Sequence, residues 1–261
     1  MQKVIHNPEQ LGPHTETFGL VAPGDWVDFF RHVGEPYDGL LAPESDERDL
    51  RTLLMPKVMA ARDRFDVHFV PDFDAPALGD WVPAENVLPG RPHEPYFLRA
   101  NTGPRWMLGG VMSRPFITTT ETEGKFAVSS IESSSRYPEQ APAGCWLAFP
   151  GVCHCFCVME GILKIRVRAT KEGAEKGDDG AWSCVREGQT ALVAAGQTFS
   201  LGFASRYVRV ISFSNGKGLE EVIHRAGSKC ESLLLPDAVE AVALPKLKEI
   251  CDQLCVSIER P

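Results

Sequence analysis

The sequence predicts a mainly β chain, a sandwich or barrel of short strands with a few short helices, and two observations carry that expectation. Residues 126–132, 153–159, 162–167, 190–193 and 207–213 are rich in β-branched and aromatic side chains, which suit a pleated, half-buried surface. Glu123-Gly124, Glu160-Gly161, Asp178-Asp179-Gly180, Glu187-Gly188 and Asn215-Gly216 separate these runs. Such pairs mark tight turns, because glycine enters left-handed backbone conformations without a Cβ clash. Several short strands at this spacing suggest a sandwich or barrel.

Composition is consistent with a packed domain. The 261 residues are 43% hydrophobic and 9% aromatic, enough for a sizeable core. The formal net charge is −8, and no Lys/Arg run interrupts it, which argues against nucleic acid or an anionic membrane as partner. The opening MQKVIHNPEQ has no apolar stretch, and no run of about 20 apolar residues follows, so neither an export signal nor a spanning helix is expected. The expected location is cytoplasmic. The cysteines at 145, 153, 155, 157, 184, 230, 251 and 255 form no spaced framework and are expected as free thiols.

An internal repeat organises the chain. WVDFFRHVG at 26–34 matches LEEVIHRAG at 219–227, and Leu40-Leu41-Ala42-Pro43 matches Leu233-Leu234-Leu235-Pro236 at the same offset. Leu54-Met55-Pro56-Lys57-Val58 then matches Ala243-Leu244-Pro245-Lys246-Leu247, and Phe65 and Val67 face Leu254 and Val256. Each copy reads as a short helix, an extended segment, and a second helix with Pro in its first turn. The β-rich region precedes only the second copy. Residues 1–70 therefore read as the tail of a first unit, 71–96 as a Pro-rich linker, and 97–261 as one complete unit. The leftover segment 1–22 is expected to seek a sheet edge, predicting a homodimer.

Two runs then resemble a known family. FPGVCHCFCVMEGILKIRV at 149–167 resembles the first cupin motif, with its closing hairpin, and EGQTALVAAGQTF at 187–199 resembles the second, a strand pair. With residues 24–37, 96–104 and 126–135, the chain is similar to fungal two-barrel cupins of the quercetin-dioxygenase kind, with most of a first barrel missing. The resemblance implies a cupin-type jelly-roll β-barrel. It also implies a metal held by two His, a Glu and a further His, and counting from Gly161 and Gly196 places those positions at Leu147, Phe149, His154 and Phe199. Leu and Phe have no lone pair to donate, whereas a first-row metal here needs three or four N or O donors. No metal and no other cofactor is therefore expected.

What remains is an apolar pocket around one imidazole. Alternate strand residues share a face, so His154 points with Phe156 and Val158. His154 is a candidate acid or base, since imidazole titrates near neutral pH, or a core histidine satisfied by the backbone. Glu132 shares a strand face with Phe126, Val128 and Ser130 and either joins His154 or points to solvent. Arg99, near Arg105 and Arg114, is a candidate for a phenolate or acidic oxygen of the substrate, or a solvated edge charge. Cys153, Cys155 and Cys157 face away from His154 as small hydrophobes, since alternate residues stand about 6.6 Å apart, too far for three sulfurs on one zinc. No nucleophile elbow, dinucleotide fingerprint or phosphate loop is present.

Three functions follow as expectations. The first is a metal-independent enzyme of secondary metabolism, an isomerase, cyclase or lyase moving a proton through His154 on a hydrophobic phenolic, polyketide-like or flavonoid-like molecule. Leu147, Phe149, Phe156, Val158, Phe199 and Arg99 would bind that substrate. The second is a metal-dependent quercetinase-like dioxygenase, and the third a non-catalytic small-molecule-binding cupin.

Overall fold

The structure is a computed structural model that describes residues 17, 19–21, 24–39, 46–65, 67–68, 70, 73–74, 77, 79–80, 82–137, 140–168 and 180–260. The expected strand-seeking segment 1–22 and the extended segment at 40–43 lie largely outside these residues. The chain divides into two compact units, 3–79 and 80–261, and the division falls inside the Pro-rich stretch.

In the smaller unit, α1 (Trp26–Val33) and α2 (Leu50–Phe65) pack Phe29, Val33, Val58 and Ala61 into a small core. Trp26 stacks on Phe29 at 4.9 Å, and Phe65 meets Phe29 edge-on at 5.7 Å, the offset and T-shaped arrangements that ring quadrupoles favour. The expectation that this second helix starts at its proline is corrected: Pro56 lies inside α2. Asp49 starts the helix earlier. Its carboxylate accepts from the Arg51 amide at 3.1 Å, a backbone donor that a first turn leaves open, and also from the Thr52 hydroxyl.

The larger unit runs β1 (Trp106–Leu108), β2 (Val111–Ile117), β3 (Ala127–Ser133), β4 (Trp146–Ala148), β5 (His154–Glu160), β6 (Ile162–Val167), β7 (Ser183–Arg186), β8 (Thr190–Val193), β9 (Thr198–Phe203) and β10 (Val208–Ser214). It continues with α3 (Leu219–Ala226), β11 (Ser228–Lys229), α4 (Leu244–Gln253) and β12 (Ser257–Glu259). All pairings are antiparallel, in a sheet ordered β11-β1-β2-β3-β10-β5-β8 and another ordered β12-β4-β9-β6-β7. This is the mainly β jelly-roll architecture with a few short helices.

Both family-like motifs are corners rather than hairpins. β5 lies in the first sheet and β6 in the second, as do β8 and β9 respectively. The turn between β5 and β6 needs Gly161, whose φ of +79° and closeness to the Tyr207 carbonyl leave no place for a Cβ. Gly109-Gly110, with φ of +56° and +83°, makes the tight β1–β2 hairpin. Two left-handed central residues match the twist of paired strands.

Strand period places the core. Val158, Val210 and Ile131 stand opposite one another across β5, β10 and β3, as do Phe156, Ser212 and Ser129. From the other sheet come Leu147, Leu163, Ile165, Phe199 and Leu201, and α3 adds Leu219, Val222 and Ile223. Each fully buried side chain of this kind stabilises the fold by about 1.5–3 kcal/mol. On the outer face of the second sheet, Lys164, Arg166 and Arg168 alternate with indoles. Arg166 lies 4.3 Å over Trp146 and 4.5 Å over Trp182, Lys164 4.8 Å over Trp182, and Arg168 4.3 Å over Trp146.

The repeat is visible in both units. α1 and α3 each span eight residues, and each ends on a glycine whose amide donates to the carbonyl four residues back, Gly34 to Phe30 at 2.8 Å and Gly227 to Ile223 at 2.9 Å. Among the described residues no helix is long and apolar enough to cross a membrane, and all eight cysteines are free thiols.

Candidate active site in the barrel

The four positions that the family resemblance assigns to a metal converge. Leu147 pairs with Phe199 across β4 and β9. The His154 ring centroid lies 4.5 Å from Phe149, 5.4 Å from Phe199 and 5.7 Å from Phe156. Leu147, Phe149, Phe156, Val158, Phe199 and His154 are all 2% exposed or less. The substrate-lining expectation thus corresponds to one contiguous cluster, but that cluster is closed. The void beside it, lined by Val111, Leu147, Leu201 and Leu219, has no room for a water molecule.

A metal does not fit this donor set. Three of the four positions are hydrocarbon, and among the described residues no group of three His, Cys, Asp or Glu side chains could hold an ion. One imidazole cannot supply the three or four donors that a resident transition metal requires.

His154 is itself committed. Its Nε2 accepts the Leu219 amide at 3.1 Å, which puts the ring proton on Nδ1. Among the described residues Nδ1 finds no partner. Burial pushes the imidazole down to about 4, because a charged ring here would lose its hydration with no anion in exchange.

Glu220 was not anticipated. It is 3% exposed and sits one residue past that amide. One carboxylate oxygen accepts from the Gly218 amide at 2.7 Å and the Ser214 hydroxyl at 3.1 Å. Burial pushes its carboxyl up to about 7, against the lowering effect of those hydrogen bonds. A Cβ on Gly218 would stand 2.7 Å from both the other Glu220 oxygen and His154 Nε2, so the two side chains approach each other over a bare glycine. The repeat held the signal: the offset that aligns the copies sets Glu220 against Val27, which is 60% exposed.

The expected partnership of Glu132 with His154 is corrected. Glu132 neighbours Ile131, which faces the interior with Val158 and His154, so strand alternation sends Glu132 to the opposite face. There it accepts from the Ser130 and Tyr207 hydroxyls, each at 2.8 Å. Arg99 is exposed in the segment leading to β1, away from the buried cluster. Arg114 donates at 3.0 Å to the Thr102 carbonyl of that same segment.

Comparisons with known proteins bear on this geometry. No protein-family profile matches the chain. A quercetin 2,3-dioxygenase of Aspergillus japonicus is 26% identical over 256 residues, 90% of this chain and 69% of that protein. Among solved structures, a single-substitution variant of the oxalate decarboxylase of Bacillus subtilis shares 13% identity at a TM-score of 0.34, over 45% of this chain and 28% of that one. The cupin domain of Schizosaccharomyces pombe Cnp3 shares 15% at 0.31, over 44% and 71%. Scores this low carry no argument, and the fold rests on the sheets themselves. The chain thus has two antiparallel sheets with both cupin-like motifs at their corners, and along nine-tenths of its length it is similar to that fungal quercetin 2,3-dioxygenase.

Proposed function

We propose that this chain is a metal-independent cupin that binds a hydrophobic small molecule and runs no oxygenase chemistry in its barrel. The observation that carries the reading is the donor set: Leu147, Phe149 and Phe199 stand with His154 where the resemblance puts ligands, and they pack against one another. The residues that would line an active cavity instead fill it. Elemental analysis of protein purified without chelators tests this, with well under about 0.1 equivalent of iron, copper, nickel or manganese expected. A stoichiometric metal lost together with activity on chelation overturns it. A homodimer belongs to the same proposal, supported by Leu192 at 72% exposure on edge strand β8. A monomer by light scattering at micromolar concentration removes that part.

One observation favours a second reading, a proton-transfer isomerase, cyclase or lyase. His154 and Glu220 are two buried groups whose pKa values burial drives apart, to about 4 and about 7. At neutral pH one is an unprotonated base and the other half an acid, a combination suited to paired acid–base work. Substrate would have to displace the start of α3 to reach them. If so, His154→Ala lowers kcat by about 100-fold or more, and full activity in that variant ends this reading.

A further inference from the structure

We propose that the small-molecule site of this chain is a cleft on the flank of the seven-stranded sheet, built for an amphipathic aromatic carboxylate or phenolate held by Arg105. The inference rests on the reading that the barrel interior is filled. The cleft measures about 650 Å³, within the roughly 300–1,000 Å³ range of small-ligand sites. It opens between residues 86–90, the β2–β3 turn, and edge strand β11 with its partner β1.

Its walls combine apolar surface with one unmatched charge. Val87, Leu88, Pro104, Trp106 and Leu233 offer hydrocarbon and an indole. Arg105 lines the same space and is 6% exposed. Its guanidinium donates to the Asn101 carbonyl, but among the described residues no carboxylate stands within ion-pair distance. The acids of the cleft are occupied. Glu121 accepts from the Gly90 amide at 3.1 Å and from both the Thr118 amide and hydroxyl, at 2.8 and 2.5 Å. Glu231 pairs with Lys229 at 3.3 Å. Behind the wall, burial depresses the Arg114 guanidinium and Glu132 opposes that, while Arg209 and Arg105 add to the depression, so Arg105 already shares this side with two further guanidiniums. A buried cation without an anion is costly, and an incoming carboxylate relieves that cost through a charge-assisted, two-point contact.

The test is calorimetric titration of the full chain with naphthoate and, separately, neutral naphthamide. Naphthoate is expected to bind one to one and at least about tenfold tighter, the scale of a charge-assisted hydrogen bond. Arg105→Gln should erase that preference and Arg105→Lys keep part of it. Thr120→Trp, which fills the cleft from an exposed position, should weaken both ligands and serves if Arg105→Gln fails to fold. Cys230, a free thiol in the wall, should be alkylated by iodoacetamide more slowly when naphthoate is present. Leu163→Ala, inside the barrel, should leave affinity within about twofold. Equal affinity for the two ligands overturns the proposal, as does loss on Leu163→Ala with Arg105→Gln and Thr120→Trp silent. A blank elemental analysis with no naphthoate binding sinks the cleft alone, whereas a stoichiometric metal sinks the reading beneath it whatever the cleft binds.

Discussion

The amide of Leu219, first residue of α3, donates to Nε2 of His154 on β5 at 3.1 Å, so one imidazole caps a helix inside a β-barrel. Helix N-termini leave amides without intrahelical acceptors, and a buried one needs a partner. His154→Ala should therefore cost about 2–4 kcal/mol, from the cavity and the orphaned amide together. His154→Gln, which keeps an acceptor, should recover part. Urea unfolding measures both, and a loss below about 0.5 kcal/mol for the alanine variant would falsify the capping role.

Stability should peak near pH 6.5. His154 and His224 both fall to about 4 through burial, from an ordinary 6.5. Their contribution is complete above 6.5 and is lost as pH falls through 4. Glu220, raised to about 7 from 4.5, works the other way, contributing fully below 4.5 and losing that as pH rises through 7. Between these limits two imidazoles outweigh one carboxyl, so unfolding midpoints should rise from pH 4.5 to 6.5 and then dip slightly. Glu220→Gln should steepen the rise and abolish the dip, and identical profiles for variant and parent would refute the assignment.

Rebuilding donors should create what the parent lacks. Phe149→His with Phe199→His would bring three imidazoles into a cluster whose ring centroids now lie 4.5–6.1 Å apart. Without metal the double variant should lose roughly 3 kcal/mol or more, from unpaired polar atoms in a dry core. Added nickel should raise its Tm by several degrees and leave the parent's unchanged. The experiment fails the idea if both respond alike.

Gly218→Ala should be poorly tolerated although its backbone is extended, with φ of −97°. The new methyl would stand 2.7 Å from His154 Nε2, Glu220 and the Ser214 Cβ at once. The expected loss is about 1–3 kcal/mol, as for other overpacked positions, and a neutral midpoint shift in thermal unfolding would mean that the neighbours yield freely.

The fold was legible where strand residues declare themselves. β6 and β8 match their expected bounds, and three more strands shift by one residue, since β-branched runs between glycine turns leave few alternatives. The three-residue β1, β4 and β12 gave no periodicity to read. The cluster around His154 followed from motif spacing and strand parity. Its closure did not, because packing against α3 depends on residues sixty-five positions away. Parity also left the side of Glu132 open, and the register of its neighbour Ile131 with Val210 and Val158 decided it. Asp49 as a helix start and Glu220 as a buried acid were both present in the sequence, but acidic residues at helix beginnings are common, so their type and position alone do not single them out.

The outer face of the five-stranded sheet gives the molecule an unusual relation to its solvent. Arg166 is held between Trp146 and Trp182 by ring quadrupoles, with Lys164 over Trp182 on one side and Arg168 over Trp146 on the other. Among the described residues, Arg168 alone of the three also leans on an acid, Glu259 at 2.7 Å. Counterions weaken exposed ion pairs over a Debye length of about 8 Å at physiological strength, but a guanidinium whose Cζ lies 4.3–4.5 Å from an indole centroid leaves them little space to intervene. This sheet should therefore keep its grip in brine, where the surface ion pairs of the smaller unit, such as Arg48 with Glu35 and Asp46, let go.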